Sequence, residues 1–403
     1  MINRPLYINK IRPFINETEL VKIITGIRRS GKSVFLELIQ DELRQQGVSS
    51  EQIISLNFED FAFNSLKAAK PLHDYLKEKV SAINKRCYIF LDEIQEVENW
   101  EGAVNSLRVN SDVDIYVTGS NAKLLASEFS TYLAGRYITL QIFPLSFQEI
   151  CQNNESKKSL KDQFMDYLIT GGMPLIIQSH FDSQTRKQYL EDLFTAVVIK
   201  DIVKQNKIRD VDMLERLIKY VIANMGKTFS AASISKFFKA EKRTISVETI
   251  LNYLKYCEEA YLLIAIHRYD VPGKRQLQVD DKFYIADHGL RESIYGNNLR
   301  DIELLLENIV ALELLRRGYQ LNIGRVGNKE IDFIAIKADK KSYFQISYLM
   351  ETEQTREREF GVYREVQDNF PKYVISMDEV DFSHDGIQHL PIWKFLLLEE
   401  AKF

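Results

Sequence analysis

Hydrophobic positions in the first 120 residues fall into short continuous runs, each ending in polar or glycine-rich residues. The apolar parts of "LVKIIT" (20–25), "QIISLNFED" (52–60), "YIFLDE" (88–93) and "VDIYVTGSNAKLL" (113–125) have strand length. A run that is apolar on both faces, as in "YIFLDE", predicts a central parallel strand. After the first run, "SVFLELIQDELRQQG" places Val34, Phe35, Leu38, Ile39 and Leu43 at helical spacing. From Phe147 to about Lys207 the pattern is helical, broken by the polar stretch "SKKSLKDQF". Three helices follow from about Asp210, then two strand-like runs, "AYLLIAIHRYD" and "RQLQVDDKFYIAD", joined by "VPGK". Three helices and a hairpin predict a winged helix. Its recognition position falls on "TISVETILNYLKYCEEA", with Ser246 as N-cap and Glu248 in the first turn. Residues 302–403 alternate helix and strand again. The chain therefore reads as α/β, with a parallel-sheet core over 1–147, a helical segment over 148–208, the winged helix over 209–290 and a small α/β domain over 291–403.

The turn after the first run carries the first candidate chemistry. Residues 26–33, "GIRRSGKS", fit GxxxxGK[ST] between a strand and a helix, the context in which that motif cradles phosphates. Glycine lets backbone N–H groups approach a phosphate closely, and the helix beginning near Lys32 points its positive end at the same place. Gly26, Ile27, Arg28, Arg29, Ser30, Gly31, Lys32, Ser33 and Val34 form the expected nucleotide-binding stretch. Lys32 reaches the β- and γ-phosphate oxygens and the Ser33 hydroxyl sits on Mg²⁺. For Arg28 and Arg29 two readings stay open, one facing the nucleotide or both solvated. Hydrolysis of ATP further needs an acid for the metal and a group to activate water. Asp92 and Glu93, at the end of "YIFLDE", take those roles in this reading. Polar residues end two further strands in the same crevice: Asn57 and Glu59 on one, Thr118, Ser120 and Asn121 on the other. Ser120 either contacts the phosphate region or caps the helix starting near Ala122.

Composition narrows the classes. A 403-residue chain exceeds one ordinary core, and 45% apolar with 27% charged residues is the balance of a globular protein. A net charge of −4 gives no global attraction to nucleic acid or to a membrane surface, and no run approaches the roughly 18 apolar residues of a membrane helix. The N-terminus lacks an apolar signal core. Three scattered cysteines, Cys87, Cys151 and Cys257, suit free buried thiols in a reducing cytoplasm. The histidines show no ligand spacing, and His384 and His389 read as surface residues.

Taken in order, "GIRRSGKS", "FLDEIQ", "TGSNAKLL", "LAGRYITLQIFPLSFQE", "TGGMP", "KDIV", "NYLKYCEEAYLL", "YIADHGLR" and "ENIVALELLRRGY" with "EIDFIA" resemble the AAA+ ATPases. The resemblance is to the bacterial and archaeal group that couples an AAA domain to a C-terminal domain of unknown function, and it covers nearly the whole chain. It implies a P-loop core with a helical lid at 148–208 and a nucleotide-driven switch. It places Ser120 at the sensor position. Asn57 is similar in placement to the polar residue that restrains the Walker B glutamate in related ATPases. Arg136, in "LAGRY", invites a reading as an arginine finger acting from a neighbouring subunit, against an ordinary surface ion pair. Gly171, Gly172 and Pro174 in "TGGMP" suit a structural turn between lid helices.

The last two segments are more ambiguous. Lys242, Arg243, Lys274 and Arg275 are placed to meet DNA phosphates, but Glu258 and Glu259 lie near the recognition-helix end, so DNA contact and internal packing both stay open. The order of elements after residue 302 resembles the PD-(D/E)XK nuclease fold. Glu307 and Asp332 match its first two acids, whereas Gln345-Ile346-Ser347 stands where an acid and a lysine belong. Glutamine is a weak metal ligand and serine brings no cation, so the site reads as degenerate and no DNA cleavage is expected. Lys340 and Lys341 precede the strand and read as a solvated turn. The resulting expectation is a cytoplasmic Mg²⁺-dependent ATPase, without membrane contact, that takes ATP, a protein client and further copies of itself as partners. Its rivals are a nucleotide-loaded DNA-binding or scaffold regulator and, disfavoured, an ATP-regulated nuclease.

Overall fold

The computed structural model describes residues 2–122, 133, 135–153, 156–228, 230–270, 275–296 and 298–398, the side chains of 270 and 275–280 left aside. The helix expected after Ala122, the "VPGK" connection and the side chains of Lys274 and Arg275 lie outside the described residues. The chain divides into two compact units, Met1–Phe143 with Glu259–Tyr261 and Pro144–Glu258 with Leu262–Phe403.

The first unit runs α1 (Pro5–Ile11), β1 (Val21–Thr25), α2 (Lys32–Gln45), β2 (Ile53–Asn57), α3 (Ala69–Ser81), β3 (Cys87–Asp92), α4 (Trp100–Asn110), β4 (Val113–Gly119) and β5 (Tyr137–Gln141). The strands make one sheet in the order β2-β3-β4-β1-β5, with every neighbouring pair parallel. Ile23, Ile89, Leu91, Ile115 and Val117 pack with Leu72 and Leu76 of α3 and with Trp100, Val104 and Leu107 of α4. Ile24, Tyr88, Phe90 and Tyr116 pack with Tyr7 and Ile11 of α1 and with Phe35, Ile39 and Leu43 of α2. Successive side chains thus meet helices on opposite faces, which is why these strands read as unbroken apolar runs. A charged pair inside these strands, Lys22–Asp114, is fully buried. It is completed by Tyr116 Oη (2.8 Å) and Asn16 N (2.9 Å) donating to Asp114, and by Lys22 Nζ donating to Glu17 O (2.6 Å). Because all strands run the same way, the C-terminal ends of β1, β2, β3 and β4 share one edge of the sheet, where open α/β sheets bind ligands.

In the second unit come α5 (Phe147–Asn153), α6 (Leu160–Thr170), α7 (Pro174–Gln178), α8 (Ser183–Ala196), α9 (Val211–Ala223), α10 (Ala231–Ala240) and α11 (Val247–Glu259). Then follow β6 (Leu263–Asp270), β7 (Arg275–Ile285), α12 (His288–Tyr295), α13 (Ile302–Arg316), β8 (Gln320–Val326), β9 (Lys329–Lys337), β10 (Lys340–Ile346), α14 (Glu353–Gly361), β11 (Lys372–Ser376), β12 (Ile387–Pro391) and α15 (Ile392–Leu397). Ser246 caps α11 as the sequence suggests, its Oγ accepting from Thr249 N at 3.1 Å. The antiparallel hairpin β6–β7 is not a free wing. Arg268–Asp270 of β6 pair in parallel with Ile323–Arg325 of β8, giving one mixed sheet in the order β12-β11-β10-β9-β8-β6-β7. Pairing satisfies the backbone groups that a lone hairpin edge would expose. The expected boundary at 290/291 therefore separates strands that share a sheet. Helix α13 is apolar nearly all round and buried. Its one deeply buried acid, Glu313, is held by Arg316 and by Arg317 Nε at 2.7 Å. Burial raises that carboxyl, and the two arginines more than reverse it, leaving it below the usual range.

Two sequence marks meet as a structural joint. Asp287, buried, accepts from Gly172 N at 2.7 Å and from Gly289 N at 2.9 Å, and His288 Nε2 donates to Tyr167 O at 2.6 Å. A Cβ on Gly172 would lie 2.1 Å from Leu145 O, an atom of rigid backbone. Gly172→Ala is expected to destabilise by about 1–3 kcal/mol through overpacking. Gly102→Ala, in α4 with nothing within 4 Å, is expected to stabilise by roughly 0.5–1 kcal/mol. Thermal unfolding of both variants gives opposite signs if the packing argument holds; a neutral Gly172→Ala refutes it.

Among the described residues no helix is long and apolar enough to cross a membrane. Cys87 and Cys257 are buried free thiols, while Cys151 is only half-buried, with burial pushing its thiol up to about 11. His389 departs from the surface reading: it is buried, with Nε2 2.9 Å from Ser376 Oγ, whereas His384 is exposed and stacks on Phe360.

Candidate functional site

The loop between β1 and α2 is shaped by the glycine that opens it. Gly26 has φ +140°, and a Cβ there would sit 2.2 Å from Ile142 O, so only glycine fits. Lys32, buried in the first turn of α2, donates from Nζ to Gly26 O (3.1 Å) and Ile27 O (3.2 Å). The same Nζ lies 3.9 Å from Glu93 Oε1. Ser33 and Val34 are exposed at the helix start, and Ser30 is buried with its hydroxyl oxygen unpartnered among the described residues. Arg28 pairs with Glu59 at 3.1 Å, while Arg29 is exposed in the left-handed region with φ 66°. An orphaned hydroxyl, a cradle closed to any Cβ and a lysine at a helix N-terminus fit a nucleotide triphosphate.

The ends of β3 and β4 complete this edge. Asp92 and Glu93 are buried. Thr118 Oγ1 donates to Asp92 Oδ1 and accepts from Glu93 N at 2.9 Å, tying both acids to β4. Glu93 adopts φ 53°, the left-handed region that costs a non-glycine residue free energy and is common at functional turns. Its Oε2 accepts from Gln95 Nε2. Ser120 and Asn121 are buried just past β4. The donor set Ser33 hydroxyl and Asp92 carboxylate, next to a phosphate cradle, is the oxygen chemistry that Mg²⁺ takes.

Two sequence-derived candidates lie elsewhere. Asn57 pairs in register with Asp92, but its side chain is exposed and its Oδ1 accepts from Glu59 N at 2.9 Å, capping its own turn. The residue that holds Glu93 is Gln95. Asn57 ends its strand in a turn that needs an acceptor, whereas Gln95 lies two residues beyond Glu93 and folds back. Arg136 is exposed and precedes β5, whose Tyr137 pairs with Val21 at the start of β1. The phosphate loop begins after the other end of β1, about 16 Å away at roughly 3.3 Å per residue. Arg136 thus does not reach the loop of its own chain, because β1 and β5 are parallel.

In the second unit Glu307, Asp332 and Gln345 do come together, around a cavity of about 450 Å³. The sequence reading placed no cation there, and that is corrected by Lys282 of β7. Its buried Nζ lies 2.8 Å from Glu307 Oε1, 2.8 Å from Glu330 Oε1 and 3.8 Å from Asp332 Oδ1. Tyr284, on the same face of β7, donates to Glu307 at 2.6 Å, and Arg268 pairs with Glu330 at 2.8 Å. Asp332 Oδ2 accepts from Ile346 N at 2.8 Å, and Gln345 Nε2 donates to Glu359 at 3.0 Å. Burial pulls the Lys282 ammonium down, but Glu307, Asp332 and Glu330 more than reverse it, so it stays charged. Burial and the charge of Glu307 push Asp332 well above the usual carboxylate range. Lys341 is held elsewhere, 3.1 Å from Asp368. Among the described residues no group of three or more acids, histidines or cysteines is arranged to hold a metal ion. Lys282 was hidden because "DDKFYIAD" read as a wing strand; its signal was the alternation Lys282-Phe283-Tyr284-Ile285, which puts a lysine and a tyrosine on one face.

Comparison with known proteins gives two family matches. A family described as an AAA domain matches residues 18–151, and a domain of unknown function, DUF8612, matches residues 161–301. An uncharacterized protein of Haemophilus influenzae is 37% identical over 98% of this chain and 99% of its own length. One of Methanocaldococcus jannaschii is 30% identical over 94% of this chain and 88% of its own. Among solved structures, the Aeropyrum pernix ORC1 protein in complex with DNA matches 75% of this chain and 94% of its own, at 10% identity and a TM-score of 0.29. The RuvB Holliday junction branch migration motor of Thermotoga maritima matches 65% of this chain and 89% of its own, at 12% identity and a TM-score of 0.32.

Proposed function

We propose, for a chain that belongs to the AAA+ family in the group joining an AAA domain to a C-terminal domain of unknown function, that it hydrolyses ATP with Mg²⁺ and uses the change of nucleotide as a switch. The observation that carries the reading is the convergence of Lys32, Asp92 and Glu93 at one edge of a parallel sheet, with Lys32 Nζ 3.9 Å from Glu93. Lys32 exchanges the carbonyls of Gly26 and Ile27 for phosphate oxygens, a stronger charge-assisted partner. Ser33 and Asp92 hold the metal, and Thr118 fixes the Asp92 carboxylate by donating to Oδ1. A Mg²⁺ held there would supply positive charge to offset that of the phosphates. Glu93 accepts a proton from the attacking water, and Ser120 senses the γ-phosphate from the end of β4.

The second unit acts in this reading as the part that responds to the switch and meets a protein client. A DNA role through α9–α11 is weakened by the outward face of α11, where Val247 and Leu251 are exposed beside Glu248 and a single lysine, Lys255. Arg136, out of reach of its own loop, is the residue that a second copy would offer to a neighbour's site. Phosphate release from Mg·ATP by the full chain, with and without DNA and over a range of protein concentrations, tests all of this. Turnover that vanishes on chelation of Mg²⁺ supports the ATPase. Tight nucleotide binding without release would replace it by a nucleotide-loaded scaffold.

A further inference from the structure

Gln95 holds Glu93 through one branch of its amide, and the roles above leave the other branch without a task. It follows Glu93 by two positions in a short 3₁₀ turn, Ile94–Glu96, and its side chain folds back so that Nε2 donates to Glu93 Oε2. The amide orientation is forced: a carboxylate only accepts, so the NH₂ group must meet Glu93 Oε2 and the carbonyl oxygen is left for another donor. That carbonyl oxygen, Oε1, is buried and has no hydrogen-bond partner among the described residues. Buried acceptors without donors are rare in proteins and mark places where a water or ligand belongs. A turn-stabilising role explains the Nε2 contact and leaves Oε1 unexplained.

We propose that Gln95 is a positioning residue for the nucleophilic water, an inference that rests on the ATPase reading of the site. The water donates one hydrogen to Glu93 and the other to Gln95 Oε1. With both hydrogens directed at fixed acceptors, its lone pair is left to face the γ-phosphorus. The water oxygen forms the new O–P bond, the bond from phosphorus to the β–γ bridging oxygen breaks with its electron pair leaving on ADP, and the proton passes to Glu93. Glu93 alone would leave the water free to rotate about one hydrogen bond; a second acceptor removes that freedom before the barrier is climbed.

The test is steady-state phosphate release by the full chain, together with the affinity of a fluorescent ATP analogue and thermal unfolding. Gln95→Ala is expected to lower kcat by roughly 10–100-fold, with KM and analogue affinity within about threefold of the parent. Gln95→Glu keeps the shape but places a second carboxylate against Glu93. Its rate is expected to be low at about pH 8 and to recover in part towards about pH 6, where the introduced carboxyl gains a proton and again offers one donor and one acceptor. That acid-side recovery is a readout that a merely structural role would not give. A kcat unchanged in Gln95→Ala, a loss confined to KM, or a pH profile of Gln95→Glu parallel to the parent's would each overturn the proposal while leaving the ATPase reading intact. If the parent chain has no turnover that Glu93→Gln removes, the ATPase reading falls and this inference falls with it.

Discussion

Glu93→Gln is expected to bind Mg·ATP within about threefold of the parent chain and to release phosphate at least about 100-fold more slowly, as loss of a general base does. Lys32→Ala is expected to fail earlier, losing roughly 10–100-fold in nucleotide affinity with the loss of one or two charge-assisted hydrogen bonds. The two effects are expected to separate because the proposed reaction uses the residues at different stages. Lys32, buried at the start of α2 and now occupied by the carbonyls of Gly26 and Ile27, offers its charge to phosphates that are already charged in the ground state. In the proposed reaction Glu93 matters when the water begins to lose its proton, so its removal should appear in kcat. The amide of glutamine has nearly the shape of the carboxylate and keeps the Thr118 tie to the backbone N–H of residue 93. Equal losses of binding in the two variants would contradict this division.

The parallel core was readable from the sequence because each of its central strands is apolar on both faces, and Ile89, Phe90 and Leu91 carry that signature without help from distant residues. The phosphate loop was readable for a similar reason, since its geometry is a property of eight consecutive residues. What the sequence could not carry was side-chain direction and strand adjacency. Gln95 follows Glu93 by two positions and Asn57 pairs across β2–β3 with Asp92, and only the turn each occupies decides which amide meets Glu93. Arg136 sits near the loop in a list of motifs, yet the parallel pairing of β1 with β5 puts it at the far end of the sheet. Lys282 was missed because the pairing of β6 with β8, between residues more than fifty apart, joins two segments whose local patterns look complete alone. Non-local pairing of this kind leaves no periodic trace in either segment.

Lys282→Met is expected to be the most destabilising single change in the second unit, by about 3–5 kcal/mol, the range for removing one partner from a buried ion pair. The unfolding temperature should fall by roughly 6–20 °C for a unit of this size. The methionine fills the space of the lysine stem, so packing is kept and the loss is electrostatic. Three carboxylates face that ammonium: Glu307 and Glu330 at 2.8 Å each and Asp332 at 3.8 Å. Without it, Glu330 keeps Arg268 and Glu307 keeps the Tyr284 hydroxyl, but neither neutral nor shared partners offset two neighbouring, partly buried charges. The penalty should therefore shrink when an acid goes too: Lys282→Met combined with Glu307→Gln is expected to cost less than the sum of the two single changes, by about 1–3 kcal/mol. The same ammonium stands among the carboxylates that a divalent ion would need, and two like charges cannot share that space cheaply. The parent chain is accordingly expected not to nick supercoiled plasmid with Mg²⁺ or Mn²⁺. Nicking that Asp332→Ala abolishes would mean that these acids take a metal beside Lys282, and an unfolding temperature unmoved in Lys282→Met would mean that the lysine carries none of the load assigned to it.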